Sequence, residues 1–530
     1  MPAKSTPGQQ PARRRSFSRT ADGWVRARQA VQIAVLLLFI VLFIASHQGA
    51  WAGSLVNLPM RLDPLQMLAT SLAGRTLARG ALLALLTVLF TLVFGRAWCG
   101  WLCPLGTVLD WFPFRGQRTR RPEPPASWRR IKYALLFITL AAALLGNLTL
   151  LVLDPLAIFW RTLSTVIWPA LDQVVTGAQA LLYQVPFLGE PLVTLDMWLR
   201  PLIFPAAPLY YRDILFFSIF FILLVSANLL APRFWCRYIC PLGALLGLFS
   251  RLAIFRRELK GECKGCTLCT ASCPTGTIDP AKNYASDPAE CTMCLECLPA
   301  CQRAQITFTP GFSLTPGQDY DPGRREALIA IGAAAAGVAL FRSSLLAKRE
   351  APFLLRPPGA REANPDVVSL TRCTRCSECI RACPTGALQP ALFDAGAEGF
   401  ATPILVPRLG YCDYSCSACG QVCPTQAIPL LSLAEKRLQV IGKAYIYEDR
   451  CLAWSDHTPC VVCEEMCPLP EKAILLEETT VWSPDGAAVQ IQLPHVVRER
   501  CIGCGICEYK CPVSGESAIR VYIPELEVPF

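Results

Sequence analysis

Twenty-eight cysteines stand in this 530-residue chain, and their spacing sorts them by chemistry. Cys263, Cys266, Cys269 and Cys273 form a C-x2-C-x2-C-x3-C run followed by Pro274, and Cys291, Cys294, Cys297 and Cys301 repeat the spacing. In such runs three close thiolates wrap one corner of an iron–sulfur cubane and the distant fourth ligates the other cluster. The expected sets are therefore crossed. Cys263, Cys266, Cys269 and Cys301 hold one [4Fe–4S] cluster, and Cys291, Cys294, Cys297 and Cys273 hold the second. Pro274 suits a helix start just past the ligand; the second group has Gln302 there and Pro299 inside. Zinc is the competing reading, since paired C-x2-C also binds zinc, but repeated twelve-residue runs with a trailing proline disfavour it.

Four more groups follow. Cys373, Cys376, Cys379 and Cys383 are regular, as are Cys501, Cys504, Cys507 and Cys511. Cys412, Cys416, Cys419 and Cys423 have one extra residue in the first gap, and Cys451, Cys460, Cys463 and Cys467 have the eight-residue gap "LAWSDHTP". Pro384, Pro424, Pro468 and Pro512 follow the last cysteines. Longer gaps change a loop's reach but keep four thiolates, so four further [4Fe–4S] clusters are expected, six in all. Adjacent pairing of these motifs and nested pairing (first with fourth, second with third) both remain open. His457 lies in the long gap, but four cysteines already complete that group, which points to a surface or supporting role. With no C-x-x-C-H, no c-type haem attachment is indicated, and no G-x-G-x-x-G or Walker-type loop stands out. Clusters without a hydride cofactor mean one-electron transport.

Four cysteines remain, in "WCGWLCPLG" (98–106) and "WCRYICPLG" (235–243). In a helix, residues four apart share a face, so Cys99 would point with Cys103 and Cys236 with Cys240; Pro104 and Pro241 then redirect the chain. Buried thiols are the plain alternative. The other options are a redox-active dithiol relay, or an additional metal or cluster site shared by four thiolates.

The elements that position these groups are apolar. Hydrophobic residues make up 53% of the chain and charged residues 17%, with a mean hydropathy of +0.37. The excess gathers in four spans, roughly 30–47, 80–97, 131–152 and 213–232, which with their flanks approach the ~20 residues a bilayer core requires. Basic residues crowd 13–28, 115–132 and 233–260, whereas loops 48–79 and 153–212 carry only Arg61, Arg75, Arg79, Arg161, Arg200 and Arg212. That asymmetry places both ends of the unit in the cytoplasm and explains the net charge of +10 without nucleic acid. Six regular cysteine groups, two of them beside basic loops, also argue against a disulfide framework.

"RLDPLQML" (61–68) follows the first span and "VLDPLAIF" (152–159) the third. The unit is thus two copies of a hairpin with pseudo-twofold symmetry. Asp63 and Asp154 are candidate proton acceptors, although Asp-Pro is first a good helix start. His47 is another candidate proton carrier. A fifth apolar stretch, 327–341, follows Arg324 and Arg325 in "PGRRE" and looks like an uncleaved twin-arginine export anchor, with a buried helix as the plain alternative.

The expected domains are 1–255, a four-span membrane unit; 256–315, a cytoplasmic α+β two-cluster ferredoxin; 320–345, the anchor; 346–368, a linker; and 369–530, a four-cluster ferredoxin-like domain in the periplasm. Residues 1–310, with their spans, C-x3-C-P-L-G sites and two ferredoxin motifs, resemble NapH/MauN-type membrane ferredoxins. Residues 320–530 resemble exported NapG/MauM-type polyferredoxins, here fused to them. The resemblance implies an inner-membrane quinol dehydrogenase that passes electrons from the quinone pool to a periplasmic redox protein such as a c-type cytochrome or reductase in anaerobic respiration. It also implies nested pairing of the four C-terminal motifs. A copper reductase or oxidase-assembly factor and a membrane redox regulator are the alternatives.

Overall fold

The computed structural model describes residues 10–47, 53–77, 80–112, 124–184, 189–204, 209–261, 263, 265–311, 331–333, 335–339, 354–360, 370–482 and 488–523. Its first half is helical. Gln10–His47 runs 38 residues without a break, and within it Ala21–Ser46 is the one described helix long and apolar enough to cross a membrane. The other expected spans are shorter: Ala81–Phe94, Arg129–Leu144 and Ile214–Ser226. Glycines set two of these ends. Gly95 follows the first at φ 62° and Gly146 follows the second at φ 81°, left-handed conformations that stop a helix.

The repeated Asp-Pro pairs build the same local structure twice. Asp63 accepts from the amides of Leu65 (2.8 Å) and Gln66 (3.2 Å) and starts the helix Pro64–Gly74. Asp154 accepts from Leu156 (2.9 Å) and Ala157 (3.1 Å) and starts Pro155–Thr162. In both, a side-chain oxygen satisfies first-turn N–H groups and proline fills a position that needs no donor. The second copy continues into Trp168–Leu182, and a further helix, Gly189–Ile203, follows. These two fall within 153–212, where the sequence pattern predicts a loop.

Apolar side chains face outward. Leu82, Leu85, Leu86 and Leu89 on one helix, and Leu215, Ile219, Ile222 and Leu223 on another, are more than half exposed in helical stripes. The buried side of the first helix carries threonines instead: Thr87 donates to Leu62 O (2.7 Å) and Thr91 to Thr87 O (2.8 Å). An exposed apolar stripe, with threonines on the buried side of the same helix, departs from the pattern of a water-soluble bundle.

Two α+β modules hold the cluster motifs. In the first, strand Phe255–Leu259 pairs antiparallel with Ile306–Pro310, and Ile278–Asp279 with Ala285–Ser286. In the second, Leu388–Pro390 pairs with Pro403–Leu405, Lys443–Ile446 with Ile519–Tyr522, and Ile474–Trp482 with Ala488–Val496.

The modules dock at opposite ends of the helical unit. The first meets Arg28, Arg96, Trp101, Arg129 and Lys132. The second meets Phe43, Asn57, Thr149 and Tyr210. Arg28 and Phe43 lie fifteen positions apart on one helix, about 22 Å at 1.5 Å per residue. The twin-arginine pair Arg324 and Arg325 lies outside the described residues; of the fifth apolar stretch, 331–333 and 335–339 are helical.

Candidate functional site

In the first module, Cys269 is within electrostatic range of Cys263 and Cys301. Cys291, Cys294 and Cys297 are each within range of Cys273. Pro274 does not begin a helix. The short helix Leu268–Ser272 ends at Cys273, and the chain turns there into strand Ile278–Asp279. Proline serves as a stop rather than a start, because it cannot continue the preceding turn. The same holds at Cys383, Cys423 and Cys511, each following a five-residue helix.

The second module brings adjacent motifs together and not nested ones. Cys373, Cys376, Cys379 and Cys423 line one cavity, with Cys423 supplied by the next motif. Cys412, Cys416 and Cys419 each lie within range of Cys383. Cys501, Cys504 and Cys507 share a cavity with Cys467, and Cys451, Cys460 and Cys463 share one with Cys511. The four groups form a row. The group of Cys376 packs against the helical unit, the groups of Cys412 and Cys504 meet where Cys412 N donates to Cys504 O (2.8 Å), and the group of Cys460 stands at the far end. His457, beside that last group, is exposed.

The donor sets suit iron–sulfur clusters. Backbone amides point at the thiols: Ala444 N to Cys501 Sγ (3.3 Å), Ile428 N to Cys423 Sγ and Ala473 N to Cys467 Sγ (both 3.5 Å). Burial pushes the thiols of Cys463 and Cys504 up to about 12, so a metal is needed to hold them as thiolates. Among the described residues no three His, Cys, Asp or Glu side chains converge tightly enough for a single metal ion. Four thiolates on one zinc would stand roughly 3.8 Å apart at a Zn–S bond of about 2.3 Å, whereas a cubane spreads its ligands wider.

Cys99, Cys103, Cys236 and Cys240 come together from the two halves of the repeat. All four are buried, and each lies within electrostatic range of the other three. They do not sit on an α-helix. Trp98–Leu102 and Trp235–Ile239 are single π turns, closed by Cys103 N to Trp98 O (3.0 Å) and Cys240 N to Trp235 O (2.9 Å). The prolines cause this: the residue before proline is driven out of the helical region, and Cys103 and Cys240 have ψ of 117° and 111°. Each then starts a new helix. Gly243 N donates to Cys240 Sγ (3.2 Å), and Gly106 N–H has the matching place beside Cys103. Crowding favours both glycines: a Cβ on Gly106 would meet the backbone Cys99 O at 2.9 Å, and one on Gly243 would push on Arg96 Nη2 at 2.8 Å.

Arg96 and Arg233 were missed from sequence, although the signal was there. "RAWC" (96–99) and "RFWC" (233–236) extend the repeat by an arginine three residues before each first cysteine. Arg96 lies within range of Cys99 and Cys240, and Arg233 of Cys236 and of Cys294 in the first module. Arg96 also donates to Ala289 O (2.7 Å). Glu290 accepts from Lys132 Nζ (2.6 Å) and Tyr133 Oη (3.2 Å). Burial would raise the Glu290 carboxyl, but Lys132 and Arg96 outweigh that and hold it below the usual carboxylate range. Gly100 touches this loop, where a Cβ would stand 2.1 Å from Thr292 O.

Asp63 and Asp154 cap their helices and also face each other across the repeat. Gln66 Nε2 donates to Asp154 Oδ1 (3.0 Å) and to Asp63 Oδ2 (3.5 Å). His47 ends the first helix, and its side chain lies outside the described residues. A cavity of about 530 Å³ opens between the first module and the helix ends, with Gly95, Phe255, Cys291 and Met293 in its wall.

Comparison with known proteins finds iron–sulfur relatives. Two families described as 4Fe-4S binding domains match the chain, one at residues 76–122 and 214–260 and the other at 366–389 and 494–514. The methylamine utilization ferredoxin-type protein MauM of Methylorubrum extorquens is 36% identical over 218 residues, covering 39% of this chain and 91% of the relative. MauM of Paracoccus denitrificans is 35% identical over 210 residues, covering 37% and 86%. The ferredoxin-type protein NapG of Escherichia coli is 34% identical over 198 residues, covering 36% and 79%. No solved structure matches. With cysteine groups built for iron–sulfur clusters and relatives matched over most of their length, the chain belongs to the MauM/NapG ferredoxin-type proteins, which use 4Fe-4S domains for electron transfer.

Proposed function

We propose that this chain fuses a NapH/MauN-like membrane ferredoxin to its MauM/NapG-like part and conducts electrons from quinol, across the membrane, to a redox protein on the far side. The observation that carries the reading is the docking of two ferredoxin modules at opposite ends of a helical unit, about 22 Å apart along its first helix. The outward leucine stripes and inward threonines support immersion of that unit in lipid. Arg28, Arg129, Lys132 and Arg233 stand at the first module's end, which supports a cytoplasmic first module and a periplasmic four-motif module. The helical residues at 331–333 and 335–339 fit a fifth crossing that joins the two sides.

In this reading six [4Fe–4S] clusters are held by the twenty-four motif cysteines, crossed in the first module and paired between neighbours in the second. The cavity beside Cys291 is where a quinol headgroup at the membrane edge would come closest to a ligand set. The row of four groups leads from Cys376 at the helical unit to Cys460 at the outer end, where the partner docks. Protease treatment of intact spheroplasts tests the topology: cleavage within 370–523 is expected, and complete protection refutes the periplasmic placement. Anaerobic reduction by menaquinol or ubiquinol tests the donor; clusters that dithionite reduces but neither quinol does refute quinol oxidation.

A further inference from the structure

The two ferredoxin modules lie at opposite ends of the helical unit, and their twenty-four cysteines leave the space between them without a redox group. The four repeat cysteines occupy that space. Cys99, Cys103, Cys236 and Cys240 belong to one contiguous core that also contains Cys376 of the second module. Toward the first module, Arg233 is within electrostatic range of both Cys236 and Cys294. Toward the second, Asp154 lies within range of Cys103 and of Arg161, and Arg161 within range of Cys376. Arg161 also donates to Arg375 O (3.3 Å), next to that ligand. One buried core thus joins the four thiols to Cys376, and Arg233 links them electrostatically to Cys294.

We propose that these four cysteines bind one additional iron–sulfur cluster, and that it is the relay between the two modules; the relay role rests on the conduit reading given above. Three observations support the site. The two matches at 76–122 and 214–260 are to a 4Fe-4S binding domain, yet each contains only two cysteines. A four-ligand cluster therefore needs both halves of the repeat, and the structure brings those halves together. Two buried guanidinium groups face the thiols: Arg96 lies within range of Cys99 and Cys240, and Arg233 within range of Cys236. A cluster carried by four thiolates is anionic, and these two positive charges favour it. Finally, Cys240 Sγ already accepts Gly243 N–H (3.2 Å), the type of amide contact found at the ferredoxin thiols.

Each transfer moves one electron. The donor cluster is oxidised by one electron, the four-thiol cluster is reduced by one, and no bond or proton changes place.

The test is iron per chain in the full-length protein, purified anaerobically, as wild type and as C99S/C236S, together with low-temperature EPR of the reduced proteins. The variant is expected to hold less iron by the content of one cluster, four atoms for a cubane or two for a [2Fe–2S] centre, with the ferredoxin signals unchanged. Equal iron in a folded variant overturns the proposal. If the variant does not fold, the wild type decides: iron above about 24 per chain supports the extra cluster, and about 24 or fewer overturns it. Failure of the six-cluster reading is separately visible, as missing ferredoxin signals or as unchanged iron in the control C266S. In proteoliposomes, C99S/C236S should block reduction of the outer clusters from the side of the first module while leaving the first-module clusters reducible.

Discussion

Glu290 is the residue whose loss should release the first module from the helices. Its side chain is 4% exposed, and the partners Lys132 and Arg96 are 0% and 1% exposed. Replacing Glu290 by Gln keeps the shape and an oxygen that can accept from Tyr133, but strands two buried cations. Breaking a buried ion pair from one side costs roughly 3–5 kcal/mol. Arg28–Glu296, at 3.2 Å, and Trp101 Nε1 to Met293 O, at 2.8 Å, still hold the interface. The low end, about 3 kcal/mol, is therefore the working figure. At about 1.4 kcal/mol per decade, this corresponds to a roughly 100-fold rise in the opening equilibrium. Amide hydrogen exchange across 289–298 reads that opening directly. K132M should have a similar cost, while E290Q/K132M should cost less than the sum of the single changes, because residues sharing one network couple by about 0.5–3 kcal/mol. Exchange within threefold of wild type in E290Q, or strict additivity in the double variant, would refute the claim that this network holds the module in place.

Four other outcomes follow from the geometry. G100A should displace the 291–294 loop and lower first-module cluster occupancy, because its Cβ would stand 2.1 Å from a backbone oxygen; G177A, in open space inside the helix Trp168–Leu182, should leave iron content unchanged and stabilise that helix by about 0.5–1 kcal/mol. C423S should destroy the cluster at Cys373, Cys376 and Cys379, removing about four irons and the EPR signal nearest the helices; loss of the outermost signal instead would refute adjacent pairing. C460S should remove the outermost cluster, abolishing electron delivery to an external acceptor while the three inner groups of the row still reduce. D154A should destabilise the helical unit by about 1 kcal/mol through loss of its cap, and D154N by little, since Asn caps as well as Asp; quinol turnover lost in D154N at unchanged stability would assign the carboxylate a proton role.

Much of the chemistry could be read from spacing alone. A C-x2-C-x2-C-x3-C run is local, so its residue types and gaps carry the ligand assignment before any fold is known. The Asp-Pro caps were legible for the same reason: the partner amides lie two and three residues away. Helix lengths were less secure, because hydropathy continues past Gly95 and Gly146, where the backbone turns left-handed. The π turns were invisible to a four-residue spacing rule, since they arise from proline acting on the residue before it.

What the sequence by itself determined, then, was the kind of chemistry: thiolate clusters, one-electron transfer, and a repeated apolar unit that carries four unassigned cysteines. Only the tertiary structure decided which motifs exchange their fourth cysteine, that the two modules sit at opposite ends of the helices, and that Cys99, Cys103, Cys236 and Cys240 form one group between them. Those are long-range facts. Cys99 and Cys236 are separated by more than a hundred residues, and their meeting depends on how two hairpins pack, which no local pattern encodes.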